Sequence, residues 1–381
     1  MEPAKPPTPE AVQERVRQAL ADNAPLHIFA GRTKSHLGRR VENAAALDLS
    51  GLDELVSYEP GELILVARPG MHLRAAEDLL DGENQYFAFE PPHWGGNATV
   101  GGTVACNLSG PRRFKAGALR DHLLGIEMVD GHGQRIRAGG KVVKNVTGYD
   151  LSKVLSGSFG TLGPLTELCF KVWPRPETQQ TLAIHGLDEA MALPVMLDFA
   201  GRPSEITGLA HLPDHPSQAA QTCVRVEGPG PAVRAQIEKL KEGIQADISI
   251  LEEHESTSFW KDLRELIPFQ PEADEELWRF AIPPSCAPQI AEALKSFDLQ
   301  RWGLDWGGAL LWVLLPADAP AAALHQLALN CQGNAWRLAR SEADPNEAAF
   351  SPLSPGVEKL NKRLEQAFDP KGVFNPGRMY G

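Results

Sequence analysis

The chain has few cysteines and none of them are paired in sequence. Its five, Cys106, Cys169, Cys223, Cys286 and Cys331, are scattered without any Cys-x-x-Cys. That argues against an iron–sulfur cluster or structural zinc held by this chain. Cys169 and Cys223 sit in apolar alternations and read as core thiols. Basic residues are outnumbered: 37 Lys and Arg against 49 Asp and Glu leave a net charge of −12 and a pI of about 5.4. A general basic face for nucleic acid is therefore not expected. Long apolar runs are missing as well. The strongest, Ala309 to Pro316, is far too short to span a bilayer. Met1 to Pro9 is Pro-rich without an apolar core and does not read as a secretory signal, so the expected location is the cytoplasm.

Several familiar motifs are absent too. Gly31-Arg-Thr-Lys-Ser35 lacks P-loop spacing, and no Gly-x-Gly-x-x-Gly follows a strand, which disfavours a Rossmann site. There is no His-Glu-x-x-His, and the 11 histidines do not cluster at ligand spacing, so no metal site is expected. Gly157-Ser-Phe-Gly160 is not a nucleophile elbow.

What is present is glycine and proline, 35 and 31 residues in a chain of 381 that is 43 % hydrophobic. This suits a loop-rich mixed α and β protein of two domains, or one domain with a large insertion. Residues 1–9 read as a disordered tail. Glu10 to Asp22 has helical spacing, with Val12, Val16 and Leu20 on one face. A strand at His27–Ala30 runs into the polar turn Gly31–Gly38. Strands are expected at 47–49, 55–58 and 63–67, a helix at 73–80, and a hairpin of 123–129 with 134–137 closed by Asp130-Gly-His-Gly133. After Pro176 the pattern becomes strand, helix, strand, strand, helix, strand, the ferredoxin-like split unit. A second copy is expected from Leu277 to Leu338. The tail holds a helix at Glu358–Phe368 followed by Asp369-Pro-Lys-Gly-Val-Phe-Asn-Pro-Gly377.

The first half carries several Gly/Thr/Ser/Asn loops, each beside an apolar strand: Gly31–Ser35, Gly101–Gly110, Gly140–Lys153 and Gly157–Gly163. Long turns between surface strands would explain any one of them. Several together suit a large ligand with phosphates and a planar ring, because inward N–H groups hold anions and glycine admits close approach. FAD is such a ligand, and on this reading nothing but a ligand demands the loops.

Gly-Tyr-Asp-Leu-Ser-Lys153, Gly157-Ser-Phe-Gly-Thr-Leu-Gly163 and Phe374-Asn-Pro-Gly377, in that order, resemble the FAD-binding oxidoreductases of the vanillyl-alcohol oxidase/p-cresol methylhydroxylase type. Within that family they are most similar to the E subunits of bacterial glycolate oxidase, a glycolate dehydrogenase. The resemblance runs from about residue 25 to the C-terminus. It implies an α+β fold: a two-part FAD-binding domain over 10–178, a cap domain of two ferredoxin-like units over 179–340, and a C-terminal segment, 341–381, returning to the FAD domain. It also implies cofactor-binding residues. Gly31, Arg32, Thr33, Lys34 and Ser35 match the pyrophosphate loop. Gly101, Gly102 and Thr103 match a second FAD loop, with Asn107 and Ser109 close by. Lys144, Asn145, Thr147, Gly148 and Tyr149 match the stretch beside the flavin, Gly157, Gly160, Thr161 and Gly163 the adenosine end, and Asn375 the tail residue that approaches the ring.

Two departures from the family pattern bear on chemistry. Relatives that attach FAD covalently carry a His where this chain has Lys34, which implies non-covalent FAD; His36, two residues on, reads as a surface residue. Relatives that oxidise D-2-hydroxy acids carry a His-Ala-Gly-Asp-Gly-Asn-like segment whose His helps hold a divalent metal. The corresponding stretch here, Asp305-Trp-Gly-Gly-Ala-Leu-Leu-Trp312, has no His. No catalytic base is assigned, and Arg279, Arg337 and Arg340 are either carboxylate partners or structural arginines.

The resemblance implies a non-covalent FAD subunit of a glycolate/D-lactate-oxidising complex. Its partners would be a homologous FAD subunit and an iron–sulfur subunit, with electrons passing to quinone, and any membrane association would be peripheral and through them. The missing metal segment favours electron relay over substrate oxidation. A self-sufficient FAD oxidoreductase of a small hydroxy acid or sugar acid, and a structural subunit with a vestigial flavin site, remain the alternatives.

Overall fold

The computed structural model describes residues 4–140, 150–216, 219–338 and 348–380. The chain divides into two compact units: Met1–Ser109, Ala118–Arg175 and Leu353–Gly381 form the first, Gly110–Gly117 and Pro176–Pro352 the second.

In the first unit, the helix Pro9–Asp22 begins where Thr8 Oγ1 accepts from Ala11 N, at 3.2 Å, with Pro9 in the first turn, where a missing N–H costs nothing. It ends at Asn23, whose left-handed conformation returns its N–H to Ala19 O. Val12, Val16 and Ala19 pack one face onto Leu26, Leu47, Val129, Val373 and Phe374. Beneath lie two parallel strands, Leu26–Phe29 and Ala45–Asp48. The C-terminal tail adds a third row, since Leu26 N donates to Val373 O (2.7 Å) and Asn375 N to Leu26 O (2.9 Å).

The rest of this unit is a five-stranded antiparallel sheet in the order Leu55–Glu59, Ile64–Ala67, Leu165–Lys171, Leu123–Val129, Arg135–Gly139. Leu65, Ala67, Met128, Leu168 and Phe170 fill one face together with Phe87, Phe89 and the helices Leu73–Gly82 and Val100–Cys106.

The second unit is built on an eight-stranded antiparallel sheet. Its order is Ile248–Leu251, Thr178–His185, Gln221–Gly228, Ile206–Leu212, Arg301–Asp305, Leu310–Pro316, Glu275–Ala281, Asn334–Arg337. Helices Glu189–Gly201, Gly230–Lys241, Ala287–Leu294 and Ala321–Asn330 cover one face through a continuous core that includes Met196, Phe199, Ile237, Ile290, Leu324 and Trp278. The other face carries a helix that the sequence reading passes over, Glu253–Arg264. Only Ser256, Trp260 and Leu263 of it are buried, so its apolar stripe is too thin to register as a pattern. Trp260 holds it down: its Nε1 donates to Thr181 Oγ1 (2.8 Å) and the Arg225 guanidinium lies 4.6 Å from its ring centre.

The segment Gly110–Gly117, which the sequence reading leaves in the first domain, groups with the second unit. Arg112 Nε donates to Glu227 Oε2 at 2.8 Å, and Gly110 O accepts from Trp306 Nε1 at 3.0 Å. Arg337 forms a buried ion pair with Glu276, both side chains about 1 % exposed. That makes Arg337 structural, because separating such a pair leaves a buried uncompensated charge.

His211, on the strand Ile206–Leu212, is fully buried; its Nδ1 lies 3.0 Å from Thr222 Oγ1 and its Nε2 has no partner. A bare lone pair on Nε2 is tolerable, but a proton there would be a buried, unsatisfied N–H on a cation. Burial accordingly drops the imidazole to about 4, against a weaker pull upward from Glu189 and Asp188. The folded-state value lies below the unfolded one, so the stability is present above the ordinary imidazole pKa and is lost as pH falls from there towards 4. Roughly 2 kcal/mol of it should be gone by pH 5. Urea unfolding of wild type and His211→Leu at pH 7 and pH 5 checks this: the variant's stability should fall less between the two pH values, and equal falls would refute it.

Candidate functional site

The strand Leu26–Phe29 delivers the chain into a tight loop, Ala30–Ser35, on the wall of a cleft in the first unit. Gly31 is dictated by close approach: a Cβ there would stand 1.6 Å from Asn97 O. Arg32 follows at φ +58°, a left-handed conformation uncommon outside glycine. Among the described residues the backbone N–H groups of Gly31, Arg32 and Thr33 meet no acceptor. Three successive N–H groups left open in such a turn form an anion-binding concavity.

The side chains add charge of one sign. Lys34 is buried, its Nζ 3.1 Å from His93 O and 3.2 Å from Thr33 Oγ1. The Arg32 guanidinium lies 3.8 Å from the Phe29 ring centre. From the C-terminal tail, Arg378 Nη2 donates to Lys34 O and Ser35 O, both at 3.3 Å. The cleft wall thus holds three cations and no carboxylate, in a chain whose net charge is −12. Burial, then Arg378 and Arg32, hold His27 below the ordinary imidazole value, so it adds no further charge at neutral pH.

The opposite wall is the helix Val100–Cys106. Its first-turn donors are satisfied internally: Val100 N by Met71 O, Gly101 N by Pro69 O, Gly102 N by Thr99 Oγ1 and Thr103 N by Thr99 O. The helix therefore offers a surface, not donors. Gly101 is required by the fold itself, since a Cβ would lie 2.6 Å from Pro69 O; Gly163 is likewise 2.3 Å from Val129 O. The reading that only a ligand demands these loops is corrected at both positions. Gly102 is different: a Cβ would meet only Thr99 Oγ1, at 3.2 Å, and otherwise open space beside the cleft.

The space within the cleft has a volume of about 100 Å³. Gly31, Arg32, Thr33, Lys34, Ser35, Gly101, Gly102, Gly160, Gly163 and Asn375 line it. Thr103, Asn107, Ser109, Gly157 and Thr161 stand behind the wall as turn builders. Thr103 Oγ1 donates to Thr99 O (3.0 Å), Asn107 closes the helix in a left-handed conformation, Ser109 Oγ accepts from Leu119 N (2.9 Å), and Thr161 Oγ1 donates to Ser158 O (2.7 Å). Gly157 packs a φ of +86° against Asn107. Lys144, Asn145, Thr147, Gly148 and Tyr149 lie outside the described residues, as does Arg340. The sequence reading did not include His27, Cys106, Phe159 or Arg378, which also line the cleft. Arg378 was within reach, one residue beyond the Phe-Asn-Pro-Gly motif.

Asn375 is 2 % exposed and its amide is fully engaged. Oδ1 accepts from Ile28 N (2.7 Å), and Nδ2 donates to Phe159 O (2.8 Å) and Ile28 O (3.3 Å). It ties the tail to the strand before the anion loop and to the 157–163 loop.

In the second unit, Asp305 is buried with Oδ1 accepting from Trp306 N at 2.7 Å. Arg279 is 7 % exposed and caged by the rings of Trp336, Trp306 and Trp312, at 4.6, 5.1 and 6.0 Å. No hydrogen bond from its guanidinium to another described residue is present. Burial, then Arg113, lower its pKa to about 9 against the pull of Asp305, so it stays cationic at neutral pH. Among the described residues no group of three or more His, Cys, Asp or Glu is placed to hold a metal ion.

Open N–H groups, cations with no carboxylate among the cleft-lining residues and an apolar, glycine-smoothed wall suit a ligand with a diphosphate and a flat ring, and the fit to FAD is good on each count. Fold and site define an FAD-binding flavoprotein, and residues 4–139 match a family model described as an FAD binding domain. The chain is 38 % identical to the glycolate oxidase subunit GlcE of Escherichia coli (strain K12) over 97 % of both chains; it belongs to the GlcE family of glycolate oxidase subunits. The glycolate oxidase subunit GlcD of Bacillus subtilis (strain 168) is 29 % identical over 52 % of this chain and 45 % of its own. A D-lactate dehydrogenase of Archaeoglobus fulgidus is 31 % identical over 47 % of this chain and 40 % of its own. Among solved structures, alkyldihydroxyacetonephosphate synthase shares the fold with a TM-score of 0.71 at 15 % identity, over 98 % of this chain and 76 % of that one.

Gly102 separates ligand from fold. Gly102→Ala fills space beside the cleft without meeting backbone and replaces a poor helix former. The apoprotein should melt within about 2 °C of wild type, while the FAD dissociation constant rises about tenfold, close to 1.4 kcal/mol. Flavin fluorescence titration alongside thermal melts checks this. Unchanged FAD affinity in a normally melting variant would place the cofactor elsewhere.

Proposed function

We propose that this chain is the non-covalent FAD subunit of a complex that oxidises glycolate or D-lactate, and that it relays electrons from that oxidation towards an iron–sulfur subunit and quinone. The observation that carries the proposal is the cleft wall of three cations, open N–H groups and no carboxylate in an acidic chain. On this reading Gly31, Arg32 and Thr33 N–H with Lys34 and Arg32 receive the pyrophosphate, the helix at Gly101–Gly102 and the Gly160–Gly163 turn flank the rest of the cofactor, and Asn375 holds two of these segments in place. Lys34 stands where covalently flavinylated relatives would need a His, which supports non-covalent attachment. The region 179–340 takes the role of a cap of two ferredoxin-like units, an assignment its strand order supports.

Bound FAD would supply a two-electron acceptor. The chain's residues would bind and orient it, and the tail would close one side of its site. The similarity to GlcE and GlcD supports a multi-subunit setting, with a homologous FAD subunit as a partner. No described helix is long and apolar enough to cross a membrane, so attachment to one would run through partners, at the cytoplasmic face. The relay role rests on the donor set of the second unit: Asp305 already caps Trp306 N, and the stretch to Trp312 holds no His.

One observation favours a second reading, in which this chain oxidises substrate by itself. Arg279, cationic, caged by indoles and without a hydrogen-bond acceptor among the described residues, has the character of a carboxylate anchor. An anaerobic visible spectrum decides between the two. Adding glycolate to the FAD-loaded chain should leave the flavin band unchanged, with bleaching only after the partner subunits are present. Bleaching of the isolated chain would establish the second reading instead.

A further inference from the structure

Arg378 has more donors than the protein uses. Its backbone is fixed at both ends, with its N–H on Asn375 O (3.1 Å) and its carbonyl on Arg39 N (2.8 Å). Its Nη2 reaches Lys34 O and Ser35 O, the last carbonyls of the anion loop. Nε and Nη1 have no acceptor among the described residues, no carboxylate pairs with the guanidinium, and the side chain lines the cleft. A guanidinium is planar and always charged, with its five donors in a rigid fork. Fixing one nitrogen on two backbone carbonyls sets the direction of the others. Holding such a cation half-buried and unpaired is unfavourable unless an anion arrives.

We propose that Arg378 is a direct ligand of the cofactor's diphosphate, so that the C-terminal tail closes the phosphate end of the site and is itself held down by the bound cofactor. The proposal rests on the FAD reading and deepens it. The diphosphate lies between the open N–H groups of Gly31–Thr33 on one side and the Arg378 fork on the other. Charge-assisted contacts of this kind are the stronger class of hydrogen bond. The tail is thereby more than a packing strap. The same residues that fasten it to Leu26, Ile28 and Phe159 aim Arg378 at the loop.

Two measurements on the full-length apoprotein test this. The first compares FAD with riboflavin, which has the ring but no phosphate, by fluorescence titration of wild type and Arg378→Gln. Glutamine keeps a polar amide but carries no charge. The variant should bind FAD about tenfold more weakly, with a shallower salt dependence and unchanged riboflavin affinity. FAD affinity within twofold of wild type, or equal losses for both ligands, would overturn the proposal. The second uses wild type alone and so survives a variant that fails to fold. Trypsin cleavage after Arg378, followed by mass spectrometry of the released tail, should be slowed by FAD and by ADP but not by riboflavin. Equal cleavage with and without FAD sinks it. Wild type that binds no FAD at all would instead refute the FAD reading on which the proposal stands.

Discussion

The first unit's site depends on one side chain, the amide of Asn375. Three hydrogen bonds from one buried group join segments about 350 and 216 residues away in sequence, Ile28 and Phe159. Each bond contributes on the order of 1 kcal/mol, but leaving any of these buried groups unpaired costs more than the bond contributes. The amide matches both an N–H and a carbonyl, which neither an aspartate nor a leucine could do. Its position also fixes what lies on either side. Ile28 precedes the anion loop by two residues, and Phe159 sits in the 157–163 turn, so the two loops on the cleft wall are placed relative to each other through the tail. A tail that only packed by apolar contact would leave that spacing to the tolerance of the core.

Electrostatics then gives the cleft its sign. A net charge of −12 repels a diphosphate at long range, yet this screens out over about 10 Å at moderate salt. What an anion meets on arrival is local: three cations and three N–H groups with no carboxylate among them. The helix Val100–Cys106 does not take part in this, although its glycines suggest a helix N-terminus aimed at phosphate. Its donors are already capped by Thr99, Met71 and Pro69. Its contribution is smoothness: Gly101 lets the helix settle onto Pro69, and Gly102 keeps the facing surface flat.

How far the sequence reveals this differs from one element to the next. The hairpin strand Leu123–Val129 was readable to the residue, because its alternation is strong and its turn carries Asp130 and two glycines. The helix Glu253–Arg264 was not, because only Ser256, Trp260 and Leu263 of it are buried and the partners of Trp260, Thr181 and Arg225, are distant strand residues. The excursion of Gly110–Gly117 into the second unit was also illegible: it is decided by Arg112 meeting Glu227, 115 positions away. Among the candidate site residues, motif resemblance picks out those whose backbone shape is special. It could not separate Gly102, which faces the cleft, from Thr103, whose hydroxyl is turned back onto its own helix. That distinction is a matter of which way a side chain points, and a one-dimensional pattern does not carry it.

The two arginines of interest illustrate how burial sorts structure from function. Arg337 and Arg279 lie on neighbouring strands of one sheet, and both are nearly fully enclosed. Arg337 meets Glu276, which compensates its charge. Among the described residues Arg279 meets three indoles and no carboxylate in hydrogen-bond contact. Ring faces attract a cation but accept little hydrogen bonding, so they hold a guanidinium in place while leaving its edge able to bind. The same logic singles out Arg378 in the first unit. In each unit, then, a cation with no hydrogen-bonded carboxylate among the described residues, Arg279 in one and Arg378 in the other, is suited to receive an anion from outside.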